Sequence, residues 1–264
     1  MINKIIDINS KKTYPGVRIK HVLSAIFYLL FCAAVLVAQP TFTHHSLDNT
    51  GIFPQGVYAA DMDSDGDMDL LGAWASSDKI TWHENDGSEN FTEHIVTTST
   101  DHPMEIYAVD MDGDGDMDVL SASSYDDKVA WHENDGSENF TEHIITTSIN
   151  GVENIFPADM DSDGDIDVLA SDKYSSSADL YLFENDGSEN FTEHDIGSSN
   201  SDIYAADMDG DGDMDVVATN SSYMSLYWWE NNGLEDFSAS QSFSARSVTS
   251  YAGGSGIVAV HAED

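Results

Sequence analysis

After residue 40, apolar residues either alternate with polar ones or gather in runs of four or five, and no stretch keeps the spacing of an amphipathic helix. Val57-Tyr58-Ala59-Ala60 and Leu70-Leu71-Gly72-Ala73-Trp74 are apolar throughout, which predicts interior strands. Lys79-Ile80-Thr81-Trp82-His83-Glu84 alternates, Asn85-Asp86-Gly87 marks a tight turn, and Phe91 to Val96 supplies a fourth strand. The same pieces return as Ile106 to Val109, Trp131-His132-Glu133, Asn134-Asp135-Gly136 and Phe140 to Ile145. A third set runs through Ile155 to Ala158, Leu180 to Glu184, Asn185-Asp186-Gly187 and Phe191 to Ile196. In the fourth, Ile203 to Ala206 and Leu226 to Glu230 lead to Asn231-Asn232-Gly233, and the last strand is expected from Phe237 onward, where FTEH has become FSAS.

Between the first two strands of each set lies the most regular feature of the chain. Asp61 to Leu71 reads DMDSDGDMDLL, and it returns as Asp110 to Leu120, Asp159 to Leu169 and Asp207 to Val217, spaced by 49, 49 and 48 residues. A period near 50 residues carrying four short strands is that of a propeller blade. The expected fold is therefore all-β, a propeller of four-stranded blades with four full repeats, the units spanning about 52–100, 101–150, 151–200 and 201–250. Phe42 to Leu47 resembles Phe91 to Val96, and Ile257-Val258-Ala259-Val260 imitates a leading strand. Partial strands at both termini allow a closed small ring or an open arc, and an incomplete ring allows a homo-oligomer.

Carboxylates on alternate positions around one glycine are calcium chemistry. Hard oxygen donors at positions 1, 3 and 5, a glycine at 6 for a sharp turn and a carbonyl at 7 suit an ion that takes six to eight oxygen ligands. The candidate ligands are Asp61, Asp63, Asp65, Asp67 and Asp69 in the first loop, and Asp110, Asp112, Asp114, Asp116 and Asp118 in the second. The third offers Asp159, Asp161, Asp163, Asp165 and Asp167, the fourth Asp207, Asp209, Asp211, Asp213 and Asp215. An EF-hand is excluded, because its closing Glu at position 12 is replaced by Gly72, Ser121, Ala170 and Ala218. The closing carboxylate then falls at position 9, with position 7 giving its main-chain oxygen. About four Ca²⁺ ions are expected.

Charge narrows the partners. With 49 acidic against 9 basic residues the formal net charge is −40, which excludes a nucleic-acid backbone and disfavours an anionic membrane surface. Eight positive charges from four Ca²⁺ would move −40 only to −32. Lys4, Lys11, Lys12, Arg18 and Lys20 precede the apolar run Val22 to Ala38, which predicts a secretory signal over residues 1–39 and a repeat domain over 40–264. A retained anchor is the alternative. The single cysteine, Cys32, lies in the apolar run, so the remainder is expected to hold together without disulfides.

A leading strand, a DxDxDGDxD loop and an aliphatic second strand resemble the FG-GAP and VCBS repeats of integrin alpha-chain propellers and of many secreted bacterial proteins. The resemblance covers roughly residues 41–260. It implies calcium ligation by side chains at positions 1, 3, 5 and 9 and by the carbonyl at 7, hence Asp61, Asp63, Asp65, Asp69 and the carbonyl of Asp67, with the other loops alike. The FG-GAP tetrapeptide itself is not clear here, and the units are fewer than the usual seven.

The repeated HENDGSENFTEH segment offers His83, Glu84 and His94 as a second polar set, expected to be outward-facing strand residues beside a turn because the pattern is copied. Trp82 and Trp131 are expected between blades, and Trp228 and Trp229 point to opposite faces of one strand. Asn90, Asn139 and Asn190 head formal glycosylation sequons. No unrepeated acid or base pair suggests catalysis. The functional expectation is a secreted, calcium-binding, non-catalytic module for an extracellular protein or glycan ligand, with a part in a secreted carbohydrate-active enzyme as the alternative.

Overall fold

In a computed structural model of the chain, the residues described are 5–6, 13–14, 43–45, 53–172, 179–198, 202–220, 225–233 and 243–250. The chain divides into two units, Met1–Ser46 and Leu47–Asp264. In the first, β1 (Ile5–Ile6) pairs antiparallel with β2 (Thr13–Tyr14). Both strands fall within the stretch read as a signal, whose apolar run at 22–38 lies outside the described residues, as do Phe237 and Ile257 to Val260. Among the described residues no helix is long and apolar enough to cross a membrane.

The second unit holds four antiparallel four-stranded sheets, each a simple meander. The first is β3 (Pro54–Ala60), β4 (Asp69–Trp74), β5 (Lys79–Asn85) and β6 (Phe91–Thr97); the second is β7 (Pro103–Val109), β8 (Asp118–Ser123), β9 (Lys128–Asn134) and β10 (Phe140–Thr146). The third is β11 (Val152–Ala158), β12 (Asp167–Asp172), β13 (Asp179–Asn185) and β14 (Phe191–Ser198); the fourth is β15 (Ile203–Ala206), β16 (Asp215–Asn220), β17 (Ser225–Asn231) and β18 (Phe243–Ser250). One correction to the sequence reading follows. The last strand of the fourth sheet begins at Phe243, not Phe237, because Phe243 stands opposite Asn231 in the register that Phe91, Phe140 and Phe191 keep with Asn85, Asn134 and Asn185.

Alternation along each strand splits its residues between two neighbours. Trp131 and Leu120 of the second sheet join Ile155, Val168 and Phe183 of the third in one core. Leu169 and Leu182 of the third sheet meet Ile203, Val216 and Trp229 of the fourth. Leu71 and Trp82 of the first meet Ile106 and Val119 of the second. Each Leu, Ile or Val fully buried there contributes roughly 1.5–3 kcal/mol relative to exposure. Val57 has no such cover: it is 73% exposed, whereas its counterparts Ile106, Ile155 and Ile203 are 2%, 0% and 3% exposed. The preceding sheet presses on those three, and none among the described residues presses on Val57.

The leading strands also share an aromatic ladder. Tyr58, Tyr107, Phe156 and Tyr204 each stand three residues before a loop aspartate, with ring centroids 5.2, 5.7 and 4.7 Å apart in turn. Tilted and edge contacts at these separations are favourable ring geometries. They stitch the sheets together at one repeated position.

Candidate metal centre

Each DxDxDGDxD loop joins the first strand of its sheet to the second, and hydrogen bonds within the loop fix its carboxylates. The position-1 carboxylate curls the chain around itself: Asp61 accepts the amides of Asp65 and Gly66 at 3.1 and 3.0 Å, and Asp110 those of Gly113 and Gly115 at 2.8 and 3.0 Å. Gly66, Gly115, Gly164 and Gly212 hold φ near +100° (96, 99, 100 and 102°), a left-handed conformation that side chains with a Cβ resist. That is why position 6 is always glycine. Carboxylates at positions 3 and 5 each accept the amide two residues on, as Asp63 does from Asp65 at 3.1 Å and Asp65 from Asp67 at 2.8 Å.

Position 9 is the anchor. Asp69 is buried, and its two oxygens accept the Met62 amide at 3.0 Å and the Asn85 amide at 2.8 Å. Asp118 takes Met111 and Asn134 at 2.9 and 2.8 Å, Asp167 takes Met160 and Asn185 at 2.8 Å each, and Asp215 takes Met208 and Asn231 at 3.0 and 2.7 Å. One carboxylate thus ties the start of the loop to the end of the third strand. A carboxylate oxygen that accepts one amide can take a second partner.

The geometry brings positions 1, 3 and 9 together. Ligand oxygens of Asp61, Asp63 and Asp69 lie within 4.8 Å of one another, as do those of Asp110, Asp112 and Asp118, of Asp159, Asp161 and Asp167, and of Asp207, Asp209 and Asp215. Asp65, Asp114, Asp163 and Asp211 are not in these groups; their Oδ1 atoms face the position-7 amide. Side chains at position 7 turn elsewhere: the carboxylates of Asp67, Asp116, Asp165 and Asp213 lie against Gly87, Gly136, Gly187 and Gly233 in the neighbouring hairpin. Position 7 is left with its main-chain oxygen.

Crowding and burial raise the proton affinity of these groups. Burial, opposed by two amide hydrogen bonds and assisted by the carboxylates around it, pushes Asp118 and Asp167 up to about 7. Asp161 rises to about 6, and Asp63, Asp112, Asp209 and Asp215 also rise, burial leading in each case. Asp159 Oδ1 is buried with no hydrogen-bond donor. A hard cation fits such a donor set: clustered anionic oxygens, one of them orphaned, on a loop already turned by glycine.

The other predicted groups separate. His94 pairs with Glu84 at 2.8 Å, approaches Glu138 of the second sheet at 3.5 Å and stacks on Trp82 at 4.5 Å. His143 repeats this with Glu133 at 2.8 Å, Glu189 at 3.5 Å and Trp131 at 4.3 Å. His83 does not face outward with them: it is buried beside Thr81 Oγ1 at 3.0 Å. Its counterpart His132, buried beside Ser121, has its pKa driven down to about 4 by desolvation and is neutral at pH 7. Trp82 and Trp131 are buried, Trp229 likewise, and Trp228 is half-buried. Asn90, Asn139 and Asn190 donate their amides to Asp86, Asp135 and Asp186 at 2.9, 3.0 and 3.1 Å, closing the hairpins. The aromatic ladder escaped the sequence reading, although an aromatic three residues before each loop was there to be seen.

Four-stranded meanders with an aspartate loop after each leading strand define an all-β repeat protein with one candidate metal loop per repeat. The FG-GAP-like repeat matches residues 61–121, 110–170, 159–218 and 207–264, and the chain belongs to that family. No curated protein sequence matches it. Among solved structures, a lectin from Agrocybe aegerita, described as specifically recognising non-reducing terminal N-acetylglucosamine, is similar with a TM-score of 0.53 and 19% identity over 74% of this chain and 52% of that one. A protein of Bacteroides uniformis described as a 6-phosphogluconolactonase gives 0.47 and 13%, over 74% and 53%. The V. cholerae biofilm matrix protein Bap1 gives 0.37 and 18%, over 67% and 37%. The chain spans about half the length of the first two, and the first shares its fold.

Proposed function

We propose that this is an extracellular calcium-binding repeat protein that acts as a non-catalytic binding module. The observation that carries the reading is the fourfold triad at positions 1, 3 and 9, whose oxygens are gathered within 4.8 Å in every repeat. In this reading Asp61, Asp63 and Asp69, and their counterparts, supply side-chain oxygens to one Ca²⁺ per loop, and positions 5 and 7 complete the set. The ion's role is structural: it offsets repulsion among carboxylates and holds the loop against the third strand through the position-9 anchor. The sheets are then blades of a propeller, closed within the chain or by a second copy.

The ligand proposed is an extracellular protein or glycan, a class consistent with the fold shared with a lectin. A signal over residues 1–39 would deliver the chain outside the cell, where millimolar calcium suits sites of about 10⁻⁴ to 10⁻³ M affinity. Calorimetric titration of chelator-stripped protein with Ca²⁺ tests the metal, with about four equivalents expected. Fewer than two, or none, would overturn it. A glycan array probed with and without EDTA tests the ligand, and turnover of any arrayed polysaccharide would reverse the non-catalytic assignment.

A further inference from the structure

The leading strands β3, β7 and β11 frame a cavity of about 450 Å³, whose lining contains none of the loop aspartates. Tyr58 and Tyr107 form part of its wall, 5.2 Å apart, with Glu105 and Glu153, and among the described residues no Lys or Arg lines it. Glu105 is held in place: its Oε2 accepts the Ile155 amide at 2.7 Å across the sheet boundary, and its Oε1 accepts the Tyr107 hydroxyl at 3.4 Å. Asp202, just before β15, adds negative charge close enough to act on Glu105.

We propose that this cavity binds a small organic ammonium ion, with the Glu105 carboxylate as its counter-ion and the rings of Tyr58 and Tyr107 as its walls. A carboxylate taken out of water needs a cation or strong donors, and here the donors are one amide and one long hydroxyl contact. Ring faces carry negative potential and attract a cation within about 6 Å. An ammonium group satisfies both demands at once. An anion meets only like charge, and a neutral sugar could hydrogen-bond but would leave the charge on Glu105 uncompensated. A bare divalent ion needs six to eight oxygens; the clustered carboxylates found among the described residues are the four loop triads, none at this cavity. The volume lies in the range of small-molecule sites.

Protonation gives the site a signature. Tyr58 on β3, Tyr107 on β7 and Glu153 on β11 line the cavity with Glu105, and Tyr107 and Asp202 act on it directly. Burial first, then Asp202, raise Glu105 to about 7, against the Ile155 and Tyr107 hydrogen bonds. At neutral pH the empty site is therefore part-protonated, and an arriving ammonium ion expels that proton.

The test is calorimetric titration of the full chain with 1,4-diaminobutane at pH 7, in excess Ca²⁺ and about 0.15 M salt, in two buffers of different ionisation heat. The expected result is one saturable equivalent with proton release. Glu105→Gln keeps an oxygen for the Ile155 amide; it should weaken binding about tenfold or more and abolish proton release. Tyr58→Ala should weaken it severalfold. Absence of saturable binding at millimolar diamine, equal affinity in Glu105→Gln, or heat that merely follows salt as counter-ion condensation does would each overturn the proposal.

Discussion

The side-chain amide of Asn231 donates to the carbonyl oxygen of Met160 at 3.0 Å, joining the third strand of the fourth sheet to the aspartate loop of the third. The same amide reaches Met214 O at 3.2 Å in its own loop, and Asn134 repeats the bridge from the second sheet to Met62 O at 3.4 Å. Each asparagine therefore links two successive loops through its side-chain amide, while its backbone amide holds the position-9 aspartate of its own triad. Asn231→Ala should destabilise the protein by about 2–3 kcal/mol, because it leaves buried carbonyls without donors. Urea unfolding in excess Ca²⁺ measures this; a loss below about 0.5 kcal/mol would mean the bridge is incidental.

If each loop holds an ion as proposed, chelation should act on all four together. At tenfold excess over Kd one site adds about 1.4 kcal/mol and four independent sites about 6, comparable with a whole domain's stability. EDTA should lower the melting temperature by tens of degrees, and salt near 1 M should restore part of the loss by screening the carboxylates. Equal melting curves with and without chelator would refute a structural ion.

How much of this was legible beforehand depended on whether repetition carried the signal. The meanders and loops were, because a 49-residue period repeats both the apolar runs and the DxDxDGDxD spacing. Two things were not. His83 and His94 lie eleven residues apart in one copied motif, yet they face opposite sides of the sheet: His83 packs inward against Thr81, and His94 stacks on Trp82 toward the next sheet. Alternation alone does not say which side is covered. The last strand was misplaced by six residues because Phe237-Ser238-Ala239 and Phe243-Ser244-Ala245 present the same triplet, and only the register opposite Asn231 distinguishes them. The division among the five aspartates was half legible: spacing suggested that position 7 lends its carbonyl, but the position-9 link to the Asn85 amide joins residues sixteen apart.

Glu105 sets a pH dependence of opposite sign to an ordinary paired carboxylate. Its folded pKa is about 7 against an ordinary 4.5, so between those values the folded state binds more protons than the unfolded chain. Its contribution is complete below pH 4.5 and is lost as pH rises through 7. Glu105→Gln, which imitates the protonated acid, should match the wild type near pH 4.5 and exceed it at pH 8 by up to about 3 kcal/mol. Parallel unfolding series at fixed Ca²⁺ give the difference curve. A flat difference would place Glu105 outside the titration.

The final prediction separates the roles of positions 7 and 9 within one loop. Asp118 spends both oxygens on the Met111 and Asn134 amides while sharing a triad with Asp110 and Asp112. Asp118→Asn keeps the volume but turns an NH₂ toward one of those amides, so it should cost about 2–4 kcal/mol and remove one equivalent of bound Ca²⁺. Asp116 instead lies against Gly136, where φ is +68° and a Cβ would collide with its carboxylate. Asp116→Ala should keep all Ca²⁺ equivalents, since the backbone oxygen survives. Gly136→Ala should destabilise by about 1–3 kcal/mol, and adding Asp116→Ala should relieve the collision while leaving the left-handed strain of about 1 kcal/mol. Calcium stoichiometry and unfolding free energy for these variants decide the matter: loss of an ion in Asp116→Ala, or its retention in Asp118→Asn, would reverse the assignment.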